Sequence, residues 1–391
     1  MGTGARTWGT TTLTHTIQIK CTDYHKTKRN NLQKWHLNEN GEMRRFVKLT
    51  VCAVRLYSGG RPPVPLGGRI LTDPDDIFQH NMWDHVQWTE EEREKAQQKA
   101  EENSKEKIPV EEQSKYDREA HTYWDRFYEM HQSKFFRNRN WLFTEFPELL
   151  PPDAAGMYMG SLGTESGNGE KHQPCGSSTL TSEMDTFPGQ HAAFRILEVG
   201  CGVGNSVFPI ITTIRGSKAF LYCCDFSSRA VELIQEHPDY DPAVCHAFVR
   251  DIRDPTSPFP FPPESLDIIL VVFVLSAIHP ARAQGVVKSL AGQLKPGGIV
   301  LFRDYGRYDL SQLRFKKGQC LSENFYTRQD GTCVYFFTKD EVHHLFSNAG
   351  LEEIQNLEDR RLQVNRGKKV VMHRVWMQSK YRKPYLISAS V

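Results

Sequence analysis

What this chain of 391 residues lacks narrows its reading first. No stretch approaches the ~20 consecutive apolar residues that a membrane-spanning helix needs, so no membrane role is expected. An excess of one sign of charge is missing too: 49 Lys and Arg against 47 Asp and Glu leave a formal net charge of +2. Nucleic-acid binding would therefore have to rest on local clusters of cations, not on the molecule as a whole. Nine cysteines are present, yet they form no CxxC pair and no zinc-finger spacing, and no metal site is expected. Their scatter, with Cys223 and Cys224 inside an apolar run, suits a reducing compartment and free buried thiols.

The length allows one large domain with appendages or two modest ones. Residues 1–57 stand apart, with ten Lys and Arg against three acids, the last of them Glu42. From Met43 the text "MRRFVKLTVCAVRLYSGG" is basic, apolar, free of acids and able to form an amphipathic helix. That is the composition of a mitochondrial presequence, and Arg55 before Tyr57-Ser58 resembles a matrix peptidase site. The mitochondrial matrix is the expected destination. Met43 is itself a candidate start, with 1–42 an upstream extension; translation or processing that removes the presequence would leave the cytoplasm or nucleus, and a plain basic tail is the alternative reading.

Beyond a Gly/Pro-rich linker, "GGRPPVPLGGRILTDP", residues 89–107 are strongly charged and read as a solvated helix. A second helix is expected over 111–131, where Tyr116, Ala120, Tyr123, Trp124, Phe127 and Tyr128 recur at spacings of 3 and 4. Residues 151–191 are rich in Gly, Ser and Thr and read as a linker or insertion. Strands are then expected at 194–199, 219–224, 244–249, 266–274 and 298–303, with helices at 205–214, 228–236 and 281–294. This alternation predicts a parallel sheet covered on both faces. The tail adds "CVYFFT", a helix near 339–349, and strands near 353–364 and 369–379.

"FRILEVGCGVGN", residues 194–205, runs a strand into Gly200-x-Gly202-x-Gly204 and then a helix, a turn that lets a ligand approach the backbone. Three ligands compete for it. A phosphate loop needs Lys-Ser/Thr after its last glycine, and Asn205-Ser206 follows instead. A dinucleotide turn needs its third glycine at 205, which is Asn. The remaining pattern, acid-x-Gly-x-Gly-x-Gly, suits S-adenosylmethionine. Glu198 then takes hydrogen bonds from the loop or helps place the cationic methionine end.

Later acids fit the same ligand in order. Asp225 ends the second strand, where a carboxylate accepts ribose hydroxyls. Asp251 ends the third, placed for the adenine amino group while Ile252 packs on the ring, and Val272 begins the pocket floor. The acceptor is less defined. No Asp/Asn/Ser-Pro-Pro-aromatic turn follows the fourth strand, so small-molecule, protein and ring-nitrogen acceptors stay open. Within 303–328, however, Arg303, Arg307, Arg314, Lys316, Lys317 and Arg328 interleave with Tyr305, Tyr308, Phe315, Phe325 and Tyr326. Cations that hold phosphates beside rings that stack bases make a surface for single-stranded RNA. A solvated loop is the plainer alternative. A second basic cluster, "RRLQVNRGKK" followed by "HRVW" and "KYRK", adds to an RNA-facing surface, with solvated strand edges as the alternative.

Together "NWLFTEFPEL", "ILEVGCGVGNSVFPI", "YCCDFS", "FVLSAIHP", "LFRDYGRYD", "LRFKKGQCLSENFYTRQDGT" and "DRRLQVNRGKK" resemble the tRNA 3-methylcytidine methyltransferase family, over about 66–383 apart from 151–190. "GGRILTDPDDIFQHNMWDHVQW" resembles vertebrate members acting on threonine tRNA, and the basic leader points to the mitochondrial branch.

The resemblance implies an α/β, class I S-adenosylmethionine-dependent methyltransferase, Rossmann-like, with a seven-stranded mostly parallel sheet and an N-terminal helical RNA-binding extension. Its parts would be a presequence at 1–57, a tRNA-binding and cofactor-covering region at 58–150, a linker at 151–191, the methyltransferase domain at 192–384 and a tail at 385–391. The reaction implied is methylation of cytidine N3 at position 32 in the anticodon loop of threonine and serine tRNAs. An aminoacyl-tRNA synthetase is a candidate partner, and the chain is expected to act as a monomer.

The resemblance also assigns roles. Trp124 and Tyr128 would cover the cofactor, and Arg137 and Arg139 in "FFRNRNW" would contact tRNA. Asn138 departs from the acid that many members carry there. Because N3 of cytosine has a free lone pair, no proton need be removed, and in-line placement with charge accommodation suffices. Asp304 and Glu323 are the candidates for orienting the base, with Tyr305 or Phe325 to stack on it. A small-molecule or protein methyltransferase and a non-catalytic RNA-binding partner are the rival readings.

Overall fold

The computed structural model describes residues 68–134, 137–152 and 186–385. The basic segment 1–57, residues 58–67 of the stretch that follows, residues 135–136, residues 153–185 of the linker and residues 386–391 lie outside the described residues. The first described part carries β1 (Met82–Trp83), α1 (Glu90–Ser104), α2 (Val110–Arg118), α3 (Ala120–His131) and α4 (Leu142–Glu145). Helix α1 starts in a capping box in which Thr89 and Glu92 exchange hydrogen bonds, and it buries only Ala96, Ala100 and Asn103. The single helix expected over 111–131 is two. The backbone leaves helical angles at Glu119 (φ −99°, ψ 12°), and the bend aims α2 and α3 at different parts of the molecule.

From Phe194 the strands follow their sequence pattern closely. They are β2 (Phe194–Val199), β3 (Ala219–Asp225), β4 (Cys245–Val249), β5 (Leu266–Val272) and β6 (Leu294–Tyr305). The helices among them are α5 (Val207–Ile214), α6 (Ser228–Gln235) and α7 (Pro280–Ala291). After β6 come α8 (Leu310–Leu313), β7 (Cys320–Ser322), β8 (Phe325–Thr327), β9 (Cys333–Tyr335), α9 (Lys339–Ser347), β10 (Glu352–Asn365) and β11 (Val370–Arg382).

The main sheet runs β1-β10-β11-β6-β5-β2-β3-β4. Its five central and far strands are parallel, while β11 is antiparallel to β6 and β10 to β11. All seven residues of β3 are buried, as strands covered on both faces require. The sheet has eight strands where seven were expected. The extra one is the two-residue β1, whose Met82 and Trp83 pair with Gln363 and Leu362 along the outer edge of β10. A second sheet, β7-β8-β9, is a short antiparallel meander.

Alternate residues of each strand enter opposite cores. Leu197, Val199, Tyr222 and Cys224 join one, and Ile196, Leu221 and Cys223 the other. The second core also takes Leu142, Phe146 and Leu149, all without exposed surface. This strap is fastened at its polar positions too. Glu145 accepts from Arg361 (2.7 Å) and Gln378 (2.8 Å), and Glu148 from Lys380 (2.6 Å). The extension is therefore built into the catalytic core. No helix among the described residues is long and apolar enough to cross a membrane.

Phe146→Ala is predicted to cost about 3–5 kcal/mol of unfolding free energy in a denaturant titration, the cost of emptying a well-packed aromatic site. Glu101→Ala on the exposed face of α1 is predicted to change it by less than about 0.5 kcal/mol.

Candidate active site

The chain leaves β2 through the glycine turn, and two of its glycines are required there. Gly200 (φ 61°) would place a Cβ 2.5 Å from Val274, and Gly202 (φ 52°) would place one 2.8 Å from the Tyr128 hydroxyl. Asp225, at the tip of β3, pins this turn: its Oδ2 accepts from the Gly202 N–H at 2.9 Å and its Oδ1 from the Ser227 N–H at 3.0 Å. Burial pushes its pKa up to about 6, against those two hydrogen bonds. Glu198, 1% exposed, is pushed further, to about 7, by burial that the Arg139 guanidinium 3.7 Å away only partly offsets. Its Oε2 has no hydrogen-bond partner among the described residues.

A cleft opens at the carboxyl ends of β2 to β5, the place where open α/β sheets bind ligands. Trp124 and Tyr128, one turn apart on α3 with ring centres 5.7 Å apart, form one wall. Asp225, Asp251 and Ile252 form another, and Gly200, Phe273 and Val274 close the base. Val272, expected on the floor, is instead a buried member of the second core. Strand alternation turns it away, and Phe273 reaches the cleft with a left-handed φ of 60°, the kind of strain that recurs at functional sites.

Arg253, absent from the sequence reading, binds Asp251 through Nη2 (2.7 Å) and reaches Asp117 of α2 (3.2 Å). Asp251 is raised by burial but lowered more by Arg253, and ends below its usual value. Arg282 holds the other Asp117 oxygen at 2.8 Å, so the start of the cover is latched by two cations. The free space within this half-open cleft is about 80 Å³. That is well under the ~300–1,000 Å³ of sites for whole organic ligands, so a whole ligand would extend beyond it or widen it.

Residues 197–300 match a methyltransferase domain family. Over 318 residues the chain is 55% identical to the tRNA N(3)-cytidine methyltransferase METTL2 of Danio rerio, spanning 81% of this chain and 88% of that one. Human METTL2B, of the same description, is 49% identical over 374 residues, 85% of this chain and 99% of that one. Human "tRNA N(3)-cytidine methyltransferase METTL8, mitochondrial" is 47% identical over 270 residues, 58% of this chain and 92% of that one. The chain belongs to the tRNA N(3)-cytidine methyltransferase family.

This tRNA N(3)-cytidine methyltransferase uses S-adenosylmethionine, and the cleft suits that molecule. The two glycines leave a cradle that a Cβ would fill, and the unpartnered Glu198 oxygen is an acceptor for a cationic group. The cofactor supplies an electrophilic methyl on a sulfonium.

Several residues expected to face RNA or the target base are turned inward. Arg303 is 4% exposed, bonded to Asp359 at 2.6 Å and to Gln378, and sandwiched by Trp141 and Trp376. Arg307 is spent on Glu341 (2.9 Å) and the Phe336 carbonyl. Arg139 enters the glycine turn. Asp304 has no exposed surface, and its two oxygens accept from the N–H groups of Ser276 and Tyr305, both at 2.9 Å. Burial raises it to about 6. Glu323 stands exposed on the turn between β7 and β8, outside the cleft lining. Phe325 is covered, packed with Ile108 and Leu321.

Arg137, Arg314, Lys316 and Lys317 remain exposed, Lys317 within 3.4 Å of Glu106. Arg314 and Lys316 line an open basin of about 360 Å³ with Phe315, Arg328 and Arg374. Arg374, 60 positions from Arg314 in the chain, lies in the "HRVW" that follows the second basic cluster, and the fold brings it to the same basin. One row of side chains joins basin and cleft: Arg328 lies over Tyr305 (6.0 Å), and Tyr305 packs on Phe273 (5.0 Å).

Glu198 and Asp225 set a pH dependence with a definite sign. Their folded values lie above the ordinary 4.5 and 3.8, so their charge costs stability at neutral pH, and the cost starts to fall as pH drops through about 7 and 6 and is gone below 4.5 and 3.8. If these carboxylates face a cationic cofactor, loss of their charge weakens its binding. Calorimetric titration of S-adenosylmethionine is predicted to show affinity at least about tenfold weaker at pH 5.5 than at pH 8, without unfolding. Equal affinity at both would remove these carboxylates from cofactor binding.

Proposed function

We propose that this methyltransferase modifies N3 of cytidine 32 in the anticodon loop of threonine and serine tRNAs, in the mitochondrial matrix. The observation that carries the reading is the row Arg328–Tyr305–Phe273, which connects a basic, aromatic basin to the cleft. A loop whose phosphates rest on Arg314 and Lys316 can extend one unstacked base along Tyr305 toward the sulfonium. In the cleft Asp225 takes the ribose hydroxyls, Asp251 the adenine amino group and Ile252 the ring face. Glu198 faces the methionine end, and Trp124 and Tyr128 close over the bound molecule.

With the N3 lone pair already available, the protein aligns nucleophile, methyl and sulfur and exchanges no proton. Positive charge passes from sulfonium to base. The buried carboxylates Glu198, Asp225 and Asp304 provide a field that tolerates it. The matrix assignment rests on the composition of residues 1–57 and on the description of the METTL8 relative. An aminoacyl-tRNA synthetase for the same tRNAs is the proposed auxiliary, testable by adding it to the purified reaction.

Mass spectrometry of nucleosides from separated mitochondrial and cytosolic tRNAs after gene deletion tests product and compartment together. Loss of 3-methylcytidine from mitochondrial threonine and serine tRNAs is expected. Loss confined to cytosolic tRNA would overturn the compartment, and no loss anywhere the substrate. Reversing Arg314 and Lys316 to Glu is predicted to weaken tRNA binding at least about tenfold and flatten the log–log salt dependence by about two. Cofactor affinity should be unchanged.

A further inference from the structure

Arg139 makes four contacts with the cofactor turn or its immediate neighbourhood. Its N–H donates to the Asn205 carbonyl at 2.8 Å, and its Nη1 donates to the Ser206 hydroxyl at 2.9 Å. The same nitrogen is 3.7 Å from Glu198, and the guanidinium lies 5.7 Å over the Phe273 ring. Asn205 and Ser206 directly follow the glycine run and lead into α5, and Ser206 has no exposed surface. Behind Arg139 the strap is immovable: the Leu142 N–H returns to the Arg139 carbonyl at 3.1 Å, and Leu142, Phe146 and Leu149 are fully covered. One guanidinium thus ties a fixed segment to the turn that must shape itself around the methyl donor.

We propose that Arg139 is a positioning residue for S-adenosylmethionine: through Asn205, Ser206 and Glu198 it fixes the glycine turn that borders the cleft, and it is no tRNA phosphate contact. The inference rests on the cofactor seat described under the proposed function. Three features support it. Its Nη1 is taken up by the Ser206 hydroxyl and lies 3.7 Å from Glu198, and the side chain is only 17% exposed. It touches both ends of the turn, Glu198 before it and Asn205-Ser206 after it. It is also the only cation paired with Glu198 among the described residues. The other groups facing that carboxylate are the Ser206 hydroxyl and Asp225.

The test uses the full chain and two ligands, S-adenosylmethionine by calorimetry and an unmodified threonine tRNA transcript at several salt concentrations. Arg139→Met is expected to weaken the cofactor at least about tenfold while tRNA affinity stays within about twofold and the salt slope is unchanged. Arg139→Lys should fall between, since an ammonium can hold Glu198 or Ser206 but lacks the planar fork. Because Arg139 acts partly through Glu198, the losses in Arg139→Met and Glu198→Gln should fail to multiply in the double variant. The double variant also carries no unpaired buried carboxylate, so it keeps the question answerable if Arg139→Met folds poorly.

Unchanged cofactor affinity in Arg139→Met, fully multiplicative losses, or weaker tRNA binding with a shallower salt slope would each overturn the proposal. Asp225→Ala is the control for the seat itself. If it binds the cofactor like the unaltered chain, the cleft assignment fails. If it loses binding while Arg139→Met does not, only the role of Arg139 fails.

Discussion

The site depends on backbone N–H groups donated to carboxylates that the fold has buried. Asp225 accepts from Gly202 and Ser227, and Asp304 from Ser276 and Tyr305. Three of these bonds join the end of one strand to a loop leaving β2, β3 or β5, and the fourth, from Tyr305, stays at the end of β6. Burial makes the charges costly and lifts their pKa values, and the amides return part of that cost while fixing the loops. Parallel strands bring these ends to one edge of the sheet. A cationic methyl donor is the type of ligand such an edge favours, since it meets acceptors that water cannot screen.

The N-terminal extension completes this edge in two different ways. Helix α3 packs Phe127 and Tyr128 on Val203 and Ala230, which makes it a cover. The strap from Arg139 to Leu149 enters the core beneath the sheet, which makes it a foundation. Between them, Arg253 and Arg282 hold Asp117 of α2. The cover is thus held by ion pairs on α2 and by α3 rings packed on the glycine turn itself.

Most of the sheet domain was legible because its signal is local. Apolar runs of strand length and glycine punctuation located β2 at its observed bounds and the other central strands nearly so, and two of the acids marked there, Asp225 and Asp251, line the cleft while Glu198 is buried behind it. What stayed hidden depends on distant partners. Arg303 reads as a surface cation until Asp359 and two tryptophans enclose it. Arg307 reads likewise until Glu341 meets it. Val272 and Phe273 differ by one position, and only the left-handed backbone at Phe273 decides which reaches the cleft. The strand β1 is two residues long, too short for any periodicity, and exists because β10 offers it an edge. The break at Glu119 leaves the aromatic spacing intact, so the pattern across it reads as one helix.

A crystal structure of the full chain with S-adenosylhomocysteine tests the central claim most directly. The account predicts the ribose hydroxyls on Asp225, the adenine between Asp251 and Ile252, and the α3 rings of Trp124 and Tyr128 over the ligand. A ligand seated elsewhere, with Asp225 still closed on its two amides and the cleft collapsed, would contradict it.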